Sequence, residues 1–315
     1  MGQCRPPLGR LTPPMPNSPT LVVLAAGMAR RYGGCKPLAP VGPCGEAVID
    51  LLASDAVAAG FGDLVLVLHP ETGPAIRYHV ARTWPASVRV GFAEQRVPLG
   101  TTHAVLAARG LLGDRPFAIA NGDDVPGQEA MALLADGLAA DGSEHAMVGF
   151  HLRNTVLTSD PVTRGVCEVD ADGYLVAVHE RRQVARHDDG EHFTALDGAL
   201  PDKLDGDLLV SVNLWGFRPS IWERFESAMA ASGLDEEAIV RAVAAGGEAP
   251  KAEVLLPEVV GAMLADGTGS PVRVLPTDSH CLGVTHADDL PVVRSELSRQ
   301  VARGVRPDRA WSGVA

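Results

Sequence analysis

Short apolar runs alternate with helix-period stretches through the first part of the chain. Leu21 to Ala26 reads Leu-Val-Val-Leu-Ala-Ala and is closed by Gly27, the pattern of a strand buried on both faces. From Ala47 to Ala59, Val48, Leu51, Leu52 and Ala56 share one helical face, and Gly60 ends it. Leu64–Leu68 predicts a second buried strand, 72–83 a helix, Val88–Phe92 a third strand, Thr101–Leu112 a helix with an anion-facing start, and Phe117–Ala120 a fourth strand. Strands that alternate with helices imply right-handed crossovers and a mostly parallel sheet, and in such sheets ligands collect beyond the carboxyl ends of the strands.

From Ala146 the pattern changes. Met147–Leu152 predicts a strand, and Val166–Val169 with Leu175–Val178 predicts a hairpin turning through Asp170-Ala-Asp-Gly173. Residues 183–207, rich in Asp, His and Gly, read as an exposed excursion. A strand from Leu208 to Phe217 follows, then helices over 219–230, 234–245 and 255–265, a late strand over Val272–Leu275 and a closing helix over 287–303. The expected fold is a three-layer α/β sandwich with a mostly parallel central sheet and a small β-rich insertion. It occupies residues 20–303 as one domain, with halves of about 20–145 and 146–303. Residues 1–19, rich in proline, and 304–315 read as tails.

Three loops at the predicted strand ends carry the chemistry: residues 27–36, 94–101 and 121–126. In the first, Leu24, Ala25, Ala26 and Gly27 leave backbone N–H groups open to a ligand, and Arg31 and Lys36 can neutralise phosphate charge. A Walker A loop is excluded, because Lys36 is followed by Pro37 and not by a hydroxyl residue. A dinucleotide fingerprint is excluded too, because Gly27, Ala29 and Tyr32 fill only the first of its glycine positions. Lysine is scarce here (Lys36, Lys203 and Lys251), so a lysine closing a glycine-rich loop stands out. In the third loop, Asp123 of Asn121-Gly122-Asp123-Asp124 would project from a strand end, where a carboxylate suits Mg²⁺ shared with substrate phosphates. An Asp pair after a strand also serves turns and helix caps.

Composition narrows the partners. The 315 residues are 46% hydrophobic with a formal charge of −12, which permits a large core and excludes a broad nucleic-acid face while leaving local cation clusters for anionic substrates. The five cysteines are odd in number and contain no Cys-x-x-Cys pair, so neither a disulfide framework nor a structural zinc site is expected. With no apolar run near the ~18 to 20 residues that cross a bilayer, and no signal peptide read at the start, a cytoplasmic location is expected, with no membrane partner. A homo-oligomer is left open.

Taken together, Leu24-Ala-Ala-Gly27-x-x-x-Arg31-x-Gly33-x-x-Lys36-x-Leu38 resembles the signature of the sugar-1-phosphate nucleotidyltransferases. Gln95 followed by Pro98-Leu-Gly100-Thr101-Thr-His103-Ala resembles their nucleobase-reading segment, and Asn121-Gly122-Asp123 their metal-binding strand end. Glu180, Asn213 and Gly283-Val-Thr285 follow in the family's order. The resemblance implies a GT-A or Rossmann-like fold and the reaction of an NTP with a sugar 1-phosphate, or a similar phosphorylated acceptor, to give an NDP-sugar and pyrophosphate. It implies a triphosphate held at Leu24–Gly27 by Arg31 and Lys36, Mg²⁺ on Asp123, a base read by Gln95 and the Gly100–Thr101 backbone, and acceptor hydroxyls on Glu180 and Asn213. Two positions depart from the family pattern. Ala29 stands where a glycine is usual, and Thr285 stands where an Asp or Asn supplies the second metal ligand, so Thr285, Asp278 or substrate oxygens would complete the coordination. A nucleotide-sensing subunit without activity and a GT-A glycosyltransferase are the competing readings.

Overall fold

The computed structural model describes residues 18–27, 34–140, 142–157, 160–187, 189, 191–284 and 286–312. Arg31 and Thr285, and all but the last two residues of the predicted amino-terminal tail, lie outside them.

The chain begins as the patterning predicts. Strand β1 (Thr20–Ala25) leads through the loop to α1 (Val48–Ala58), then β2 (Asp63–Leu68), α2 (Gly73–Thr83), β3 (Val90–Glu94), α3 (Thr101–Leu112) and β4 (Phe117–Asn121). These strands pair in parallel, β1 lying between β2 and β4 and β3 at the edge. Two-residue β5 (Asp124–Val125) and α4 (Gln128–Ala139) follow, then β6 (His145–His151), β7 (Val162–Val169) and β8 (Leu175–Arg186). Next come β9 (Phe193–Ala195), β10 (Lys203–Leu204), β11 (Leu209–Ser211), β12 (Trp215–Phe217), α5 (Trp222–Ser232), α6 (Glu236–Ala244) and α7 (Leu256–Asp266). β13 (Val272–Thr277), β14 (Leu282–Gly283) and α8 (Leu290–Ala302) complete the order.

One twelve-stranded sheet, counted among the described residues, runs β10-β9-β8-β7-β11-β6-β12-β4-β1-β2-β3, with β13 alongside β6. The parallel core is β4-β1-β2-β3. Beyond it the pairings are antiparallel except for β13 on β6. Alternating side chains on the strands face two layers, as the period of two requires. Leu21, Val23, Leu64 and Ala118 pack with α1, α2 and α4, whereas Val22, Val65, Phe117 and Ile119 pack with α3, α5 and α7.

Four sequence expectations need correction. Residues 183–207 are not an exposed excursion: β9 and β10 extend the sheet, and Val184, Phe193, Ala195 and Leu204 are buried in its core. The hairpin is longer than its apolar stretches, spanning β7 and β8 with Gly173 at φ +85° in the turn. Leu208–Phe217 is two strands, because Asn213 adopts φ +63° and breaks the ladder between β11 and β12. The carboxyl-terminal stretch is no free tail. Arg306, nearly buried, reaches Asp55 of α1 at 2.5 Å, and the Trp311 ring packs 5.2 Å from Trp84.

Candidate active site

Small residues let the tips of β1 and β4 meet. Gly122 N–H donates to Leu24 O at 2.9 Å, and a Cβ on Gly122 would stand 3.0 Å from that oxygen and 3.1 Å from the Ala25 Cβ. Ala25 and Ala26 are buried, whereas Gly27 is exposed, with no described atom within 4 Å of where its Cβ would be. Among the described residues no packing neighbour demands the glycine, and the open backbone suits a ligand lying against it.

Lys36 returns to this tip from a short 3₁₀ turn over Lys36–Leu38, in which Pro37 pre-sets the backbone. Its Nζ lies 3.4 Å from Asp123 Oδ2, and the Asp123 side chain is 37% exposed. The cation and carboxylate singled out from the sequence thus approach each other. Asp124 beside it accepts a hydrogen bond from Asn121 Nδ2 at 3.0 Å, and Asn121 also donates to Val212 O. Burial, then the charge of Asp123, pushes the Asp124 carboxyl up to about 6, while Asn121, Arg164 and Lys36 pull it down. The late segment is pinned to the same pair: Gly283 is paired with Asp124, and Val284 N–H donates to Asp123 O at 3.1 Å.

Alongside lies a cavity of about 490 Å³ whose walls include Asn121, Asp124, Arg164, Glu180, Arg182 and Asn213. Both predicted acceptor residues are therefore brought to it. Glu180 Oε1 accepts from Arg182 Nε at 2.7 Å, so its ion-pair reading also holds. Arg181, by contrast, is buried and clamped to Asp197 through two nitrogens. Asn213 takes the left-handed conformation that Asn tolerates better than most residues, and its Oδ1 accepts weakly from Trp215 Nε1 at 3.4 Å.

The segment predicted to read the base is more self-occupied than its sequence indicates. Buried Gln95 directs Nε2 to Gly100 O at 3.0 Å and stands 3.1 Å from His103 Nδ1. A Cβ on Gly100, at φ +98°, would meet the Val254 backbone at 2.4 Å, so close approach of that segment requires the glycine. Val254 N donates to Leu99 O, Thr102 N to Val254 O, and Leu256 N to Thr101 Oγ1. The start of α3 is thus partly capped by protein, not left open to an anion. Asp278 is away from the carboxylate pair. Its side chain is 88% exposed, stands 3.5 Å from His151 Nε2, and lines a separate cavity with Glu129 and Ser279.

Sequence reasoning missed Arg164 and Glu258 in the cavity wall, because neither sits in a recognisable motif. It also passed over α4, although Met131, Leu134, Ala135 and Leu138 have helical spacing.

A parallel β-α core that sets the Leu24–Gly27 backbone, a lysine and a carboxylate at adjoining strand tips suits a protein that holds phosphates there. Comparison with known proteins agrees: the MobA-like NTP transferase domain matches residues 21–191, more than half of the chain, and the chain belongs to that family. It is 27% identical over 168 residues to glucose-1-phosphate thymidylyltransferase of Mycolicibacterium smegmatis, covering 51% of this chain and 54% of that protein. It is 32% identical over 185 residues to the bifunctional protein GlmU of Sinorhizobium medicae, covering 57% of this chain and 37% of that protein. The chain therefore matches about half the length of the first and little more than a third of the second. Ser211, Asn213, Leu255 and Glu258 of the cavity wall lie beyond the stretch matched by the family. Among the described residues no helix is long and apolar enough to cross a membrane.

Proposed function

We propose that the protein transfers a nucleotidyl group from an NTP to a sugar 1-phosphate or similar phosphorylated acceptor, releasing pyrophosphate, with Mg²⁺ as cofactor. The observation that carries this reading is the Lys36–Asp123 approach of 3.4 Å beside Asp124, which lines a polar cavity together with Glu180 and Asn213. In this reaction an acceptor phosphate oxygen attacks the α-phosphorus and pyrophosphate leaves, so the protein needs to position and neutralise charge and supplies no covalent nucleophile. The Leu24–Gly27 backbone would cradle the triphosphate, and the Lys36 ammonium is within reach of the same tip. Glu180 and Asn213 would hold acceptor hydroxyls.

The donor set fits Mg²⁺. Asp123 and Asp124 are hard oxygen donors, and the charge of Asp123 disfavours ionisation of the buried Asp124, a repulsion that a dication relieves. Among the described residues no group of three or more His, Cys, Asp or Glu forms a cage, so substrate phosphates and water would complete the shell, as is usual for this ion. Bound there, the metal would supply charge neutralisation at the reacting phosphates. A screen of each NTP against a panel of sugar 1-phosphates, followed by pyrophosphate release, is expected to find one productive pair. That turnover should stop on chelation and fall at least ~100-fold in Asp123→Ala. Turnover undiminished by the substitution overturns the assignment.

A further inference from the structure

Among the described residues the cations around the cavity pair off with carboxylates, with one exception. Arg182 is matched by Glu180, Arg181 by Asp197, and Lys36 by Asp123. Arg164, half-buried on β7, directs its nitrogens only at neutral oxygens: Nε to Thr155 Oγ1 at 3.0 Å, one terminal nitrogen to Thr155 O at 2.6 Å and the other to Thr163 O at 2.9 Å. Among the described residues no ion pair includes it. Asp124, Asp160 and Asp289 line a small cleft with it. A partly buried guanidinium held in place by neutral acceptors on the wall of a cavity keeps N–H donors that an anion can take.

Its location says which anion. Lys36 reaches the carboxylate pair from the β1 loop, on the nucleotide side. Arg164 reaches it from the sheet half that carries Glu180 and Asn213, and both cations act electrostatically on Asp124. Two phosphorylated reactants meeting at one carboxylate pair repel each other, and a cation on each side removes that repulsion.

We propose that Arg164 is the residue that binds the phosphate group of the acceptor, holding it beside Asp123 and Asp124 while Lys36 serves the nucleotide. This rests on the proposed nucleotidyl transfer for the identity of the acceptor, but the phosphate site itself can be tested without turnover. Wild type and Arg164→Gln are titrated by calorimetry with inorganic phosphate, glucose 1-phosphate and each NTP, and thermal unfolding is recorded for both. Loss of a charge-assisted contact should weaken phosphate and glucose 1-phosphate binding about 10- to 100-fold while NTP affinity holds. Arg164→Lys should recover part of the loss, which a purely structural bracing of Thr155 would not give.

Unchanged phosphate affinity in Arg164→Gln overturns the assignment, as does wild type that binds neither phosphate nor glucose 1-phosphate. An equal loss for NTP assigns Arg164 to the nucleotide and overturns it too. An inactive wild type that shows the expected binding pattern counts against the transfer reaction alone.

Discussion

His145 shows how one buried side chain can make the whole fold sensitive to acid. It is 1% exposed, its ring edge lies against Phe217 at 5.3 Å, and its Nδ1 accepts the Arg218 N–H at 3.1 Å. Burial, then the nearby Arg218 charge, pushes it down to about 4 from 6.5. Above pH 6.5 the ring is neutral folded or unfolded and adds no pH dependence. Between 6.5 and 4 the unfolded chain binds a proton that the folded one refuses, so stability falls with acidification. The full interval corresponds to roughly 3 kcal/mol. Urea unfolding of wild type and His145→Asn, whose amide oxygen can replace Nδ1, should show the stability gap between them narrowing by about 2 kcal/mol from pH 7 to pH 5. A constant gap refutes the account. At this scale the sequence was most legible where chemistry is scarce. A lone loop lysine and an Asp after a buried strand do meet, whereas Gly100 takes its role from Val254, far along the chain, and Arg164 from a cavity wall that no motif marks.

At the scale of elements, periodicity placed α3 to the residue and the parallel strands to within a residue or two. It failed where a polar composition concealed a buried role. Residues 183–207 look solvated because Asp and His dominate them, yet sparse apolar positions such as Phe193 and Leu204 are enough to anchor short strands at the sheet edge. The carboxyl-terminal stretch was misread for the same reason. Its anchor is the buried Arg306–Asp55 pair, with Trp311 on Trp84 and the Ala310 amide on Glu46 beside it. Burial raises the Asp55 carboxyl even against the pull of Arg306, so each partner depends on the other. Arg306→Ala strands a carboxylate in the core and should cost about 3–5 kcal/mol in chemical denaturation. The double variant Asp55→Leu/Arg306→Leu should recover most of that loss. A single variant as stable as wild type would show the strap to be ornamental.

Across the whole molecule, a nucleotide-side half and an acceptor-side half were expected in one domain, and β12 joins them by pairing with both β4 and β6. The seam is therefore inside the sheet, and the cavity opens next to it. Phe117 and Ile119 on one side and Met147 on the other share a core with Trp215 and Phe217. Halves joined through a common core should melt as one unit. Calorimetry is expected to give a single transition whose calorimetric and van't Hoff enthalpies agree. Two resolved transitions would mean that the halves are separable.

The stitching of Val254–Leu256 to residues 99–102 also reaches the cavity wall. The same few residues that clasp the predicted base-reading segment continue into Leu255, Pro257 and Glu258 on the wall of the cavity proposed for the acceptor. A guest that shifts this hinge-pin from one side must be felt on the other, and by thermodynamic reciprocity the influence runs equally in both directions. The two substrates would then arrive as correspondents, each altering the welcome the other receives.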